Sequence, residues 1–199
     1  MHWTLVTALK TVPAESIVVS SDDADALAYA RNLDVSVIQR PAELARDNTP
    51  IGPVVRHALN ETGSQAAIVL QVTSPFRRSH HIADAIRQFS RDGRPLASVV
   101  RAEHPIEWHC EWPADSEELK FVHQTSGSLR RQECKPWYRL NGAIFLASAQ
   151  TWSDQDALMG VHGLRPFLMD PASSLDIDSE WDLAFGEFLV ATGRAQVGQ

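Results

Sequence analysis

Two carboxylates separated by one residue stand near the end of the chain, in the stretch SLDIDSE at residues 174–180. In an extended backbone, residues i and i+2 point the same way, so Asp176 and Asp178 would share one face. Two neighbouring carboxylates repel each other unless a cation or a proton lies between them, and Mg²⁺ prefers one or two carboxylates together with phosphate oxygens. The pair is therefore a candidate Mg²⁺ site. The alternative is that Asp178 caps the helix that follows.

Arginines in two short motifs provide a second kind of chemistry. Arg131 occurs in the pair Arg130-Arg131, and Arg139 precedes Leu140, Asn141 and Gly142. A guanidinium binds carboxylate or phosphate through two parallel hydrogen bonds, and a glycine lets a ligand or backbone approach its neighbour closely. These motifs predict an anion-binding surface around Asn141. The alternative is that the arginines are solvated surface residues.

One stretch of the chain is predicted to bring polar groups to the same region. Residues 66–70 are apolar without alternation, which is typical of a central parallel strand buried on both faces. Pro75 prevents the strand from continuing in a central ladder. Ligands of open α/β sheets bind outside the carboxyl ends of strands, and the polar residues that follow this strand are Gln71, Thr73, Ser74 and Arg77. The stretch predicts a binding crevice; the alternative is an ordinary Ser-Pro turn.

The rest of the chain alternates between helical and strand patterns. Predicted helices cover residues 2–11, 24–33, 48–62 (with Pro50 in the first turn), 80–91 and 178–191. Predicted strands cover residues 16–21, 35–38, 66–70, 96–100, 143–146 and 166–169. This order suits right-handed crossovers in a mostly parallel, doubly wound α/β sheet. We expect residues 1–199 to form a single domain.

Residues 101–140 interrupt this alternation of predicted helices and strands. They contain Trp108, Trp112 and Trp137 together with both cysteines, and residues 107–112 alternate like a half-exposed strand. We interpret 101–140 as a β-rich excursion from the sheet. Its aromatic residues suit a subunit contact, where Trp is enriched. The alternative is a small hairpin packed on its own domain.

Composition argues against several classes of protein. The formal net charge of −7 argues against a nucleic-acid or anionic-membrane binder, and no apolar run approaches the roughly 18–20 residues of a membrane span. Cys110 and Cys134 form no CxxC pair, so a reduced cytoplasm is the simplest compartment. Neither a GxGxxG motif nor a Walker A motif occurs.

Six short motifs occur in order over nearly the whole chain. They are VSSD at 19–22, RPAELA at 40–45, QVTSPFR at 71–77, RQ at 131–132, RLNGAI at 139–144 and SLDIDSE at 174–180. Together they resemble the cytidylyltransferases that activate sialic acids, the CMP-N-acetylneuraminate synthetase family with its legionaminate and other nonulosonate relatives. Each motif is weak alone, whereas the ordered set is specific.

The resemblance implies a nucleotide-diphospho-sugar transferase-like fold and a reaction. The anomeric hydroxyl of an acidic nine-carbon 2-keto sugar would attack the α-phosphate of CTP. CMP-sugar would form and pyrophosphate would leave, with Mg²⁺ bridging. The resemblance also implies a homodimer built by the excursion at residues 101–140.

The resemblance also assigns roles to individual residues. The expected nucleotide-binding residues are Ser20, Asp22 and Arg40. The expected sugar-binding residues are Gln71, Thr73, Ser74, Arg77, Arg139 and Asn141. The expected catalytic residues are Asp176, Asp178 and Arg131, with Asp176 and Asp178 holding Mg²⁺.

The resemblance begins downstream of the first elements of the family. The family opens with a first strand and an Arg-x-Gly-Ser-Lys-type phosphate loop, whereas residues 2–10 match the helix that follows. We therefore expect a sheet that lacks the first strand and phosphate loop, with apolar surface left uncovered. Two alternatives stay open: a non-catalytic homologue that binds a sugar acid or pairs with a full-length enzyme, or a nucleotidyltransferase for another sugar.

Overall fold

A computed structural model describes residues 1–123 and 130–198. Its α-helices are α1 (His2–Leu9), α2 (Ala24–Arg31), α3 (Ile51–Thr62), α4 (Ser79–Asp92), α5 (Ala149–Asp154) and α6 (Glu180–Ala191). Its strands are β1 (Val18–Ser21), β2 (Ser36–Gln39), β3 (Ala66–Val69), β4 (Leu96–Arg101), β5 (Cys110–Glu111), β6 (Lys120–Phe121), β7 (Tyr138–Ser148) and β8 (Arg165–Leu168). No helix within these ranges is both long and apolar enough to cross a bilayer.

The main sheet has four strands in the order β3-β7-β4-β8. Strand β7 is antiparallel to β3 and β4, while β8 is parallel to β4. Three strands of this sheet therefore run in one direction and only β7 runs against them. Strands β1 and β2 form a separate parallel pair. The sheet is mixed but mostly parallel, which agrees with the predicted α/β class.

The two faces of β7 explain why this sheet is stable. Successive side chains of a strand point to opposite faces. Ile144 and Leu146 pack on one side with Leu96, and Ala147 packs on the other with Trp152. Both faces are thus covered by apolar side chains, as a central strand requires.

Two predicted helix starts are wrong in detail. Pro50 is the N-cap of α3 and lies before its first turn instead of within it. At α6, the Oγ of Ser179 accepts from the N–H of Asp182, and the Asp182 carboxylate accepts from the N–H of Ser179. This reciprocal pair is a capping box. Ser179 is therefore the cap, which overturns the alternative that Asp178 caps this helix.

The predicted central strand lies at an edge of its sheet. Strand β3 pairs with β7 on one side, and all four of its residues are only partly buried. The expectation of a central strand is wrong, because no described strand lies between β3 and β1. Both faces of β3 are nevertheless packed, since Ile68 lies against one apolar cluster and Ala67 and Val69 lie against the other.

A cavity of about 540 Å³ separates β1 from β3. Helices α1 and α3 cover it with apolar side chains that include Leu5, Val54 and Ala58. The uncovered apolar surface expected from the sequence is therefore present. The void leaves side chains of the two half-sheets without packing partners.

The excursion contains a small hairpin. Strands β5 and β6 pair with Cys110 opposite Phe121. The predicted strand at residues 107–112 is wrong outside β5, because the N–H of Trp108 turns back onto the carbonyl of Pro105 in a short 3₁₀ helix. Trp112 is 76% exposed and Phe121 is 54% exposed. The hairpin therefore does not bury these rings on its own domain.

Filling the cavity should stabilise the protein. Ala58→Leu adds apolar atoms at a lining position, and we expect a gain of about 1 kcal/mol in the free energy of unfolding. Ala85→Leu is the matched control, because Ala85 is fully buried in a packed core and overpacking there should cost about 1–3 kcal/mol. Denaturant melts of both variants measure the difference; equal losses would contradict a void between β1 and β3.

Candidate active site

The cavity continues to the carboxyl ends of β1 and β3, where its lining becomes polar. Ser20, Arg40, Gln71 and Thr73 all line it. The first two residues were expected to bind the nucleotide and the last two to bind the sugar. The structure therefore brings both predicted groups to one cavity. Parallel strand ends are the usual ligand position in open α/β sheets.

Arg40 is fixed at the nucleotide side of the cavity. Its Nε donates to the Oγ of Ser20 at 3.3 Å, and its Nη2 donates to the Ser20 carbonyl. Its own N–H donates to the Ser21 carbonyl at 2.8 Å. The guanidinium is thus held in place before a ligand arrives, which suits phosphate or base binding. Asp22 follows on the same edge and is exposed.

Gly142 lies close to two predicted site residues, Gln71 and Asp176. Its φ of +74° is favourable only for glycine. A Cβ at this position would overlap the Oε1 of Gln71 and would lie 3.3 Å from Oδ2 of Asp176. The missing side chain therefore lets the Gln71 amide and the Asp176 carboxylate both approach the backbone of β7 at this residue.

Asn141 lies beneath this contact rather than in the cavity. It is 2% exposed. Its Oδ1 accepts from the Oγ of Ser98 and from the N–H of Ala143, and its Nδ2 donates to the Oγ of Ser174 at 2.8 Å. The amide is thus occupied by protein partners. It ties β7 to β4 and to the segment that carries Asp176.

Ile177 anchors the acidic pair. Its N–H donates to the Thr73 carbonyl at 2.8 Å, and its side chain packs against the apolar cluster that contains Phe76. Asp176 and Asp178 flank this anchor, as their spacing predicts. Asp176 is partly buried and Asp178 is exposed.

One oxygen of Asp176 has the chemistry that the predicted Mg²⁺ requires, and the Mg²⁺ itself stays a prediction. The Oδ1 of Asp176 is buried and has no hydrogen-bond partner among the described residues. An unpartnered buried carboxylate oxygen is costly, and a hard cation would satisfy it. Within residues 1–123 and 130–198, no three His, Cys, Asp or Glu residues group closely enough to hold a metal ion. Mg²⁺ at this position would therefore need oxygens from the substrate in addition to Asp176 and Asp178.

Ser74 and Arg77, expected to contact the sugar, are both buried. Ser74 is fully buried, and its Oγ has no partner in the part of the chain that the structure describes. Arg77 is 1% exposed and donates to the backbone carbonyls of Gln71 and Ala143. Burial lowers the pKa of Arg77 to about 10. Both residues thus lie behind Gln71.

Arg131 and Arg139 are not brought to this cluster. Both are exposed, and Arg139 lies opposite Val100 in the ladder of β7 with β4. No contact among the described residues joins either arginine to Gln71 or Asp176. Residues 124–129, just before Arg131, lie outside the described residues. The roles of both arginines stay predictions.

Two supporting residues escaped sequence reasoning. Ser98 is fully buried in β4 and bonds both the Asn141 side chain and the N–H of Ile144. Ser174 accepts from Asn141 and donates to the carbonyl of Asp170 at 2.7 Å. The available signal was a lone serine inside the apolar run LASVV at 96–100, because a buried polar residue requires a partner.

Solved structures with the same fold are nucleotide-transferring enzymes. A CMP:2-keto-3-deoxy-manno-octonic acid synthetase complexed with CTP matches with a TM-score of 0.67 at 12% identity, over 96% of this chain and 87% of that one. A 4-diphosphocytidyl-2C-methyl-D-erythritol synthase from Anaerococcus prevotii matches with a TM-score of 0.62 at 12% identity, over 95% and 84%. The fold is that of the nucleotide-diphospho-sugar transferases.

Relatives found by sequence comparison belong to a more specific group of enzymes. An N-acylneuraminate cytidylyltransferase of Escherichia coli is 30% identical over 92% of this chain and 43% of its own length. A CMP-N,N'-diacetyllegionaminic acid synthase of Legionella pneumophila is 28% identical over 94% of this chain and 83% of its own length. No protein-family model matches the chain. The chain is therefore similar over most of its length to cytidylyltransferases of sialic and legionaminic acids. It spans less than half the length of the E. coli relative.

Gly142→Ala tests the contact over β7. The added Cβ would displace the end of the flexible Gln71 side chain and strain a positive φ, so we expect a loss of about 1–2 kcal/mol in the free energy of unfolding. Gly63→Ala is the matched control, because Gly63 has a similar φ of +67° and nothing within 4 Å of the position that a Cβ would take; strain alone costs about 1 kcal/mol. Urea unfolding of both variants measures the difference. Equal losses would show that Gln71 does not lie against Gly142.

Proposed function

We propose that this chain transfers CMP from CTP to the anomeric hydroxyl of a sialic-acid-type nonulosonate and releases pyrophosphate. The observation that carries the proposal is the approach of both Gln71 and Asp176 to Gly142, beside a cavity that Gln71 and Arg40 line. The relatives of the chain support the same reaction, since they are named as cytidylyltransferases of sialic and legionaminic acids.

Different residues in this scheme bind the two substrates. Arg40 and Ser20 form the nucleotide side, and the arginine offers fixed donors to the cytidine nucleotide. Gln71 forms the sugar side, and its amide can donate to the acid or hydroxyl oxygens of the sugar. Asp176 lies close to Gly142 on the side of Gln71, and Asp178 follows it two residues later. Mg²⁺ held by Asp176 and Asp178 would neutralise phosphate charge.

Positioning accounts for most of the catalysis in this scheme. The anomeric hydroxyl attacks the α-phosphate, a phosphorus–oxygen bond to CMP forms, and the bond to pyrophosphate breaks. The hydroxyl proton leaves to water or to a nearby carboxylate. Phosphoryl transfer of this kind depends on alignment and charge neutralisation more than on covalent help from the protein. Rigidly anchored groups such as Arg40 and Ile177 serve that purpose.

A second candidate function is binding without turnover. Gln71 lies at the wall of the cavity and could hold a sugar acid without any transfer reaction following. A turnover assay separates the two candidates.

The chain is proposed to act as a cytoplasmic homodimer. Exposed aromatic side chains of the excursion support the dimer, namely Trp108, Trp112, Phe121, Trp137 and Tyr138. Such rings are enriched at interfaces and cost free energy when left in water. In the described part of the chain, Cys110 and Cys134 are both free thiols, which suits a reducing compartment.

The oligomeric state is directly measurable. Light scattering should give a mass of two chains, and Trp112→Glu should shift the protein towards the monomer because a charge would be buried at the contact. Trp181→Glu is the matched control, since Trp181 is similarly exposed but lies on α6. A monomeric unmodified chain, or equal effects of both substitutions, would contradict a dimer built by the excursion.

CTP-dependent pyrophosphate release tests the reaction. The chain is assayed with Mg²⁺ and a panel of nine-carbon 2-keto sugar acids, and we expect release with at least one of them. Asp176→Asn should lower that rate on the order of 100-fold, because it removes charge at the phosphates. Asp154→Asn, an exposed carboxylate on α5, is the control and should leave the rate unchanged. No release by a folded chain that binds the sugar acid would favour the second candidate.

A further inference from the structure

Arg77 is an unusual arginine because it is buried and its partners among the described residues are all backbone carbonyls. Nη1 and Nη2 donate to the Gln71 carbonyl at 3.4 and 3.3 Å, and Nη1 also donates to the Ala143 carbonyl. The side chain is 1% exposed. None of the ion pairs found among the described residues includes Arg77.

Such a placement is costly for stability alone. A buried charge without a counter-ion loses hydration that carbonyl dipoles only partly replace. Apolar residues of similar volume would fill a core position at lower cost. A planar guanidinium differs from them in one respect, because its fork can hold two acceptors from different segments at a fixed separation.

The two carbonyls that Arg77 joins flank the contact at Gly142. Gln71 follows β3, and Ala143 is the next residue after Gly142 in β7. The Gln71 side chain extends over Gly142 with its Oε1 at the place where a Cβ would stand. The fork of Arg77 therefore fixes the backbone of Gln71 against the same stretch of β7 that its side chain covers.

We propose that Arg77 is a positioning residue that holds the Gln71 amide over Gly142, where the acidic sugar binds. The proposal rests on the proposed function for the identity of the ligand. Arg77 itself does not touch the ligand, since it lies behind Gln71.

The experiment monitors the side-chain amide of Gln71 directly by NMR. In ¹⁵N-labelled protein, the side-chain amide signals of Gln71 are assigned with Gln71→Leu, and N-acetylneuraminic acid is titrated as the probe. Arg77→Met should move the Gln71 signals and weaken binding of the probe about 10-fold or more, the usual scale for a supporting residue. Arg77→Lys should restore part of both, because one donor remains.

Arg56→Met is the matched control. Arg56 also donates to backbone carbonyls, but these belong to Trp152 and Gln155, in α5 and directly after it, instead of to the segments around Gly142. It should lower the melting temperature while leaving the Gln71 signals and the affinity for the probe unchanged.

The outcomes are distinct. Arg77→Met with unmoved Gln71 signals and unchanged affinity would overturn the proposal, whatever happens to the melting temperature. A wild-type chain that binds no probe would count against the proposed function, while the Gln71 signals would still decide the role of Arg77. If Arg77→Met does not fold, Arg77→Lys decides: shifted Gln71 signals support the proposal and unshifted signals overturn it.

Discussion

The close approach of two side chains to the backbone at Gly142 is the constraint on which the candidate site depends. Gln71 and Asp176 come from segments far apart in sequence, and any Cβ at Gly142 would overlap the first and crowd the second. A positive φ adds a second reason for glycine at this position. Gln71 and Asp176 can both approach β7 here because this residue has no side chain.

Buried polar groups on either side of Gly142 maintain that approach. Asn141 ties β7 to Ser98 and Ser174, and Arg77 ties Ala143 to the backbone of Gln71. Each bond exchanges hydration for a fixed geometry, so a network of this kind adds little stability but restricts the arrangements available. Binding then requires less ordering of the site, which is the physical advantage of preorganisation.

Sequence reasoning located the site through local patterns. The i, i+2 spacing of Asp176 and Asp178 and the polar residues after a strand are visible in one stretch each. The burial of Asn141 and Arg77 is not, because it depends on partners more than 30 residues away, such as Ser98 and Ala143. Likewise, the apolar run 66–70 signals a buried strand, but it cannot show that β3 lacks a neighbour on one side.

Paramagnetic broadening by Mn²⁺ tests the central claim most directly, since it asks whether Asp176 binds metal beside Gln71. Mn²⁺ replaces Mg²⁺ at sites of oxygen ligands and is added below one equivalent, with CTP, to ¹⁵N-labelled protein. The account predicts that the side-chain amide signals of Gln71 disappear while those of Gln65, an exposed residue before β3, persist. Persistence of the Gln71 signals, or equal loss of both, would contradict it.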